Sequence, residues 1–300
     1  MSTLVVIFLI LTQSTPDDHD VPAAVVLDVG HNNGVRYEGD SRKLVQILTE
    51  ETSSAPRPIK GRLDDSAKWM KQTSILVIVN PNSESFRRDE QAFSEKEENH
   101  LVDWVKKGGR LLVVADSSHG ERGTPICGLL RRFGVAVTGQ MAHETVQKNG
   151  ITFYSKLIFT QANGGIDEFG EKLHSRHAVT SDPIQRIDPG PGGAVVYALI
   201  DPSWKALLNI PESETMSMHR IVMPPACAET EQGHPLAVAA VRTVERGRVV
   251  VFGCSGVIRQ GMTKELERYG MQETNDNEQL IRLVIRWLLL EETTDPNSAP

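Results

Sequence analysis

The sequence predicts an α/β domain, with a doubly wound, mostly parallel sheet, helices on both faces and a strand-rich insertion. Three observations carry that expectation. Continuous apolar runs (AVVLD at 24–28, ILVIV at 75–79, VVVF at 249–252) have the character of strands buried on both faces of a parallel sheet. Amphipathic helical segments alternate with these runs over short connections. From Gly139 to about Pro225 the pattern changes to short strands, prolines and glycines, which reads as an antiparallel insertion.

The first run ends in the loop Val29-Gly30-His31-Asn32-Asn33-Gly34. Asp40 is placed to cap a helix through about Glu51, with Leu44, Ile47 and Leu48 on one apolar face. A short strand at 59–63 and a helical turn at 65–71 lead to Ile75–Val79, which runs into the loop Asn80-Pro81-Asn82-Ser83. Ser94 and Glu97 form an S-x-x-E capping box before Leu101, Val102 and Val105. Gly108-Gly109 stops that helix where positive φ is tolerated, and a strand at 110–115 enters Asp116-Ser117-Ser118-His119-Gly120. A helix at 127–133 and a strand at 135–138 follow. Strands are expected in the insertion at 156–160, 194–200 and 219–223. The apolar segments 236–241 and 249–252, followed by Gly253-Cys254-Ser255-Gly256, and an amphipathic helix at 275–290 complete the sheet and its cover.

Three hundred residues can bury a full core. We expect one domain at 23–290, with the insertion at about 140–225, after a leader at 1–22 and before a polar tail at 291–300. The apolar run at 4–11 has signal-peptide length and is too short to span a bilayer. It lacks a basic n-region and a clean A-x-A site; we read it as an export signal, with an extra buried strand in a cytoplasmic protein as the alternative. A net charge of −7 and 5% aromatic residues argue against a nucleic-acid surface. The cysteines Cys127, Cys227 and Cys254 form no C-x-x-C pair, so neither a zinc site nor a disulfide framework is expected.

Three segments together resemble the class I glutamine amidotransferase-like superfamily, especially its non-catalytic members. They are AVVLDVGHNNG, then ILVIVNPNSESF with FSEKEENHLVDWVKKGGRLLVVADSSHGE, then HPLAVAAVRTVERGRVVVFGCSGV with NDNEQLIRLVIRWLL. Their order and spacing are similar to the domain shared by gliding-motility ABC-transporter auxiliary proteins and intraflagellar-transport proteins, and to trehalose-utilisation-type domains and a related uncharacterised bacterial family. The segment RHAVTSDPI at 176–184 resembles their HPVT-x-G stretch. The resemblance implies a flavodoxin-like fold, a ligand or protein partner, association with a membrane complex and no cofactor.

In open α/β sheets, ligands sit beyond the carboxyl ends of the strands. Four strand ends carry polar residues here: Asp28 with His31, Asn32 and Asn33; Asn80 with Asn82; Asp116, Ser117, Ser118 and His119; Cys254 with Ser255. These are the candidate lining of a binding cleft, although polar strand-end loops commonly just solvate and cap the next helix. In catalytic amidotransferases the turn after the strand equivalent to 110–115 carries a nucleophilic cysteine. Here it offers Ser117 and Ser118 and no thiol, so glutaminase activity is not expected. The alternative is a hydrolase using Ser117 or Ser118 with His31 or His119. A zinc site from Asp28, His31, Asp116 and His119 has suitable ligand types but no supporting local spacing. VVLDVGHNNG also resembles the D-x-G-H-G-G opening of zinc-dependent cell-wall amidases, yet no strand-borne histidine follows at the expected distance. We therefore expect no metal and a non-enzymatic binding domain.

Overall fold

Alternating elements build a main sheet whose carboxyl edge abuts a second sheet. The structure, a computed structural model, describes residues 25–31, 41–64, 68–81, 91–115, 126–155, 157–162, 164–166, 184–188, 194–211, 216–220, 233–259 and 275–290. In chain order the first elements are β1 (Val25–Asp28), α1 (Arg42–Thr52), β2 (Arg57–Ile59), β3 (Ile75–Val79), α2 (Glu95–Lys106), β4 (Arg110–Val114) and α3 (Cys127–Arg132). Next come β5 (Val135–Lys148), β6 (Ile151–Ser155), β7 (Phe159–Thr160), β8 (Arg186–Ile187), β9 (Ala194–Leu199), β10 (Lys205–Leu208) and β11 (Met216–Arg220). The last are β12 (Leu236–Ala237), β13 (Ala239–Val244), β14 (Gly247–Phe252) and α4 (Asn277–Leu289).

The main sheet has seven strands in the order β10-β13-β14-β4-β3-β1-β2. From β14 to β2 all pairings are parallel, whereas β13 and β10 add at one edge through antiparallel pairings. Period-two alternation divides the core. Val25, Leu27, Ile75, Val77, Leu112, Val114, Val250 and Phe252 pack on the side that receives α1 and α4. Val26, Leu76, Ile78, Leu111, Val113, Val249 and Val251 face α2 and α3. Both faces are therefore covered by helices, which is why these strands read as continuous apolar runs.

Polar contacts fix the helices to their neighbours. In α2 the capping box is complete: the Glu97 amide donates to Ser94 Oγ (3.3 Å) and the Ser94 amide to Glu97 Oε2 (3.0 Å). The α4 residue Asn277, fully buried, accepts from the Asp188 amide and donates to the Asp188 carbonyl (2.8 and 2.6 Å). Arg282 and Arg286 of α4 reach Glu51 of α1 at 3.0 and 2.8 Å, tying the two helices of one face together. Arg248, at the start of β14, donates to the terminal carbonyls of Trp287, Leu288 and Leu290.

The second sheet is antiparallel, in the order β11-β5-β9-β12 with β6 on β5. Its central strand β9 is buried throughout, and its alternate residues enter both cores: Ala194 and Val196 one, Val195, Tyr197 and Leu199 the other. Two differences from the sequence expectation have physical causes. The strand at 135–138 runs on to Lys148, because Gly139 (φ 76°) absorbs a register shift between Val137 and Met141 instead of ending the strand. The segment 236–241, expected as one strand, splits between two sheets and runs on to Val244. Leu236 and Ala237 pair with β9, and from Ala239 onward the chain pairs with β10 and β14. Among the described residues, no helix is long and apolar enough to cross a membrane.

Candidate functional site

The parallel strand order reverses between β1 and β3, so the loops leaving these two strands flank the topological switch point. β1 ends on Asp28, which is fully buried. The chain then turns, with the Gly30 amide donating to Asp28 Oδ1 (3.0 Å), and brings His31 back over the same carboxylate. Its Nδ1 lies 3.0 and 2.9 Å from the two Asp28 oxygens. Its Nε2 lies 3.3 Å from Oε1 of Glu97, 66 residues further along the chain. The ring rests against Phe93, centroids 4.5 Å apart, and only 9% of the residue is exposed.

An imidazole between two carboxylates satisfies both only when both nitrogens carry protons. Burial opposes the charged ring, but the hydrogen bonds and charges of Asp28 and Glu97 outweigh it and hold the His31 pKa at about 9. Burial likewise works against the Glu97 charge. The hydrogen bonds from His31, from the Ser94 and Leu63 amides and from the Ser94 hydroxyl overcome it and place Glu97 at about 2. Each Glu97 oxygen takes two donors: His31 and the Leu63 amide (3.0 Å) on Oε1, the Ser94 amide and hydroxyl (3.0 and 2.7 Å) on Oε2. The cluster joins the β1 loop, the 61–64 segment and the start of α2. In this geometry His31 has no lone pair for a proton or a metal, so its chemistry is that of a fixed cation.

The β3 end is also buried. Asn80 adopts positive φ (46°), its amide donates to the Val114 carbonyl (2.7 Å), and 1% of it is exposed. Across the sheet, the ends of β4 and β14 lie under β9. The fully buried Tyr197 hydroxyl sits 3.1 Å from the Ala115 carbonyl and 3.2 Å from the Phe252 carbonyl. The Val195 amide donates to the Gly253 carbonyl (2.8 Å), and a Cβ on Gly253 would meet the Val195 oxygen at 2.1 Å. Only glycine lets β9 approach so closely. Cys254 and Ser255 follow, each 1% exposed.

Of the residues singled out by the sequence, Asp28 and His31 are in direct contact, and Asn80, Cys254 and Ser255 are buried at other strand ends. Asn32, Asn33, Asn82, Asp116, Ser117, Ser118 and His119 lie outside the described residues, as do the apolar run at 4–11, residues 176–183 and the tail. Cys127 and Cys254 are buried and not joined in a disulfide, and Cys227 lies outside the described residues. Sequence reasoning identified Glu97 as a capping residue and missed its pairing with His31, for which a separation of 66 residues leaves no local signal. Among the described residues, no group of three or more His, Cys, Asp or Glu side chains could hold a metal ion. A surface cavity of about 420 Å³ lies between 199–209 and 233–236, lined by Asp201, Lys205, Asn209 and His234 among others; none of the predicted site residues lines it.

No family model matches the sequence, and no curated protein matches it. Solved structures do. The mmIFT52 N-terminal domain aligns over 89% of this chain and 98% of its own, at 13% identity and a TM-score of 0.59. A ThuA-like protein from Bacteroides uniformis aligns over 89% and 90%, at 8% identity and a TM-score of 0.43. The β-galactosidase from Rahnella sp. R3 aligns over 90% of this chain and 32% of its own, at 14% identity and a TM-score of 0.40. At such identities the first alignment establishes a shared fold: a mixed α/β architecture, mostly parallel with added antiparallel strands, like that of the mmIFT52 N-terminal domain.

Proposed function

We propose that this chain is a non-enzymatic binding domain of the class I glutamine amidotransferase-like superfamily, flavodoxin-like and doubly wound, without glutaminase activity. One observation carries the reading: β9 and Tyr197 cover the carboxyl ends of β4 and β14, where a glutaminase needs an open, strained turn with a nucleophile and an oxyanion hole. The state of His31 supports it, since an imidazolium clamped by two carboxylates is no general base. The order β2-β1-β3-β4-β14, which is 2-1-3-4-5 when the parallel strands alone are counted, supports the flavodoxin-like assignment. On this reading the strand-end loops with Asn32, Asn33, Asn82, Asp116, Ser117, Ser118 and His119 form the binding edge. The resemblance to gliding-motility and intraflagellar-transport proteins favours a protein partner in a larger assembly.

The test is a screen of the purified protein against glutamine and against ester, amide and glycoside substrates. No turnover is expected; turnover lost in Ser117→Ala or Ser118→Ala would instead establish the hydrolase. Export completes the proposal. N-terminal sequencing of the mature protein should find a start beyond the apolar run, and a start at Met1 or Ser2 would refute it.

A further inference from the structure

The cavity between 199–209 and 233–236 takes its shape from the way β9 turns into β10. The Ile200 and Asp201 amides both donate to the Gly134 carbonyl (3.0 Å each), and the Trp204 amide donates to the Asp201 carbonyl (3.1 Å). These bonds close the turn Asp201-Pro202-Ser203-Trp204. The Leu199 amide donates to the Pro235 carbonyl (2.9 Å), which holds the 233–236 segment beside that turn. Trp204 is buried, and its indole N–H donates to the Phe133 carbonyl (2.8 Å), so the wall is anchored from behind. Ile200, 40% exposed, and the half-buried Leu236 give the cavity an apolar side open to solvent.

Its charges are one-sided. Asp201 lines the cavity, but both of its oxygens already have donors. Oδ1 accepts from the Ser203 amide and hydroxyl (2.9 and 2.6 Å), and Oδ2 pairs with Arg242, which also donates to the Phe133 carbonyl. The other titratable side chains of the described lining are Lys205 and His234. Neither makes a hydrogen bond or ion pair with a described residue. One wall therefore offers an unmatched ammonium and an uncommitted imidazole, in a chain whose net charge is −7. Opposite them stands apolar surface.

We propose that this cavity binds a small organic acid, its carboxylate held by Lys205 and His234 and its apolar body laid against Ile200 and Leu236. The volume of about 420 Å³ lies in the range of small-molecule sites, where a few placed polar groups orient a largely apolar ligand. A single ammonium balances the one negative charge of a monocarboxylate, whereas a phosphate monoester brings nearly two. The hydrogen bond between an ammonium and a carboxylate is of the strong, charge-assisted kind. The site shares no residue with the strand-end binding edge proposed above, so its failure leaves that reading standing.

The experiment is calorimetric titration of the full chain with phenylacetate and with octanoate, each against its primary amide, at fixed pH and ionic strength. Saturable binding of at least one acid is expected, about tenfold or more tighter than that of its amide, as a hydrogen bond to a charged group implies. Lys205→Gln and His234→Ala should each weaken it, the first about tenfold. Ile200→Asp, which sets a carboxylate in the apolar wall, should abolish it. Lys205 and Ile200 are exposed, so these variants should keep the wild-type melting temperature, which separates loss of the ligand from loss of the fold. Phenylacetate alone assigns the site to a flat aromatic acid; octanoate, with or without phenylacetate, assigns it to a flexible one. Binding of neither acid overturns the proposal. So does an amide that binds as tightly as its acid, or acid binding that Lys205→Gln and His234→Ala both leave unchanged.

Discussion

Two ends of one sheet edge are closed by opposite means. At β1 the closure is ionic: Asp28, His31 and Glu97 hold a buried charge between a strand loop and a helix start. At β4 and β14 the closure is a packed strand, with Tyr197 donating to main-chain carbonyls and Gly253 admitting the β9 backbone. The ionic end responds to pH and to removal of any member. The packed end responds to volume. A charge cluster at a switch point resembles catalytic machinery in composition, but here every acceptor of Glu97 and both His31 nitrogens serve to hold elements together.

The largest expected effect is at the ionic end. His31→Ala leaves two buried carboxylates facing an unfilled space, and breaking a buried pair in this way costs about 3–5 kcal/mol. Urea unfolding at pH 6 measures it. A loss below about 1 kcal/mol would mean that the cluster is solvated and that the contrast between the two ends is false.

The pH dependence is next. The His31 pKa is raised from 6.5 to about 9, so its stabilisation is complete below pH 6.5 and is lost as pH rises through 9. Glu97 is lowered from 4.5 to about 2, so its contribution is complete above pH 4.5 and is lost as pH falls through 2. Both are whole between about pH 4.5 and 6.5. Raising the pH from 6 to 9.5 should remove about 3 kcal/mol of the difference between the wild type and His31→Gln. The two shifts share one ion pair and do not add. A difference independent of pH would place His31 neutral and free a nitrogen for chemistry.

At the packed end, Gly253→Ala forces a methyl group towards the Val195 carbonyl, and overpacking of this kind costs about 1–3 kcal/mol. Its cost should be equal at pH 6 and 9.5, unlike that of His31→Gln. A pH-dependent loss would couple the two ends and dissolve the distinction.

The main sheet was legible in the sequence because local physics decides it. An apolar run, a capping box and a glycine stop define β3, α2 and β4, and no distant residue has to be known. The Gly139 bulge and the sheet switch at Val238 were not, since both depend on which strand lies alongside. The same limit applies to the site. His31 beside Asp28 is visible as a local D-x-x-H, but Glu97 enters from a helix 66 residues away and converts an apparent base into a structural cation. Tyr197 carried no signal, because a tyrosine inside an apolar strand reads as core until its hydroxyl is found on two strand ends.

Tyr197→Phe should have the smallest effect and the sharpest meaning. It keeps the ring that fills the roof and deletes one hydroxyl, whose net contribution is about 1 kcal/mol. The Ala115 and Phe252 carbonyls also serve the main sheet, where the Phe252 carbonyl accepts from the Ala115 amide (2.9 Å), so the phenylalanine variant leaves at least that bond in place. A loss near 1 kcal/mol in urea unfolding, unchanged between pH 6 and 9, therefore makes the roof a matter of packing. A loss of about 3 kcal/mol or more, or the appearance of hydrolytic turnover, would mean that the hydroxyl holds shut a strand end able to act as a nucleophile turn. In that case the two ends would differ in how firmly they are closed, and the proposed absence of chemistry would fail at β4.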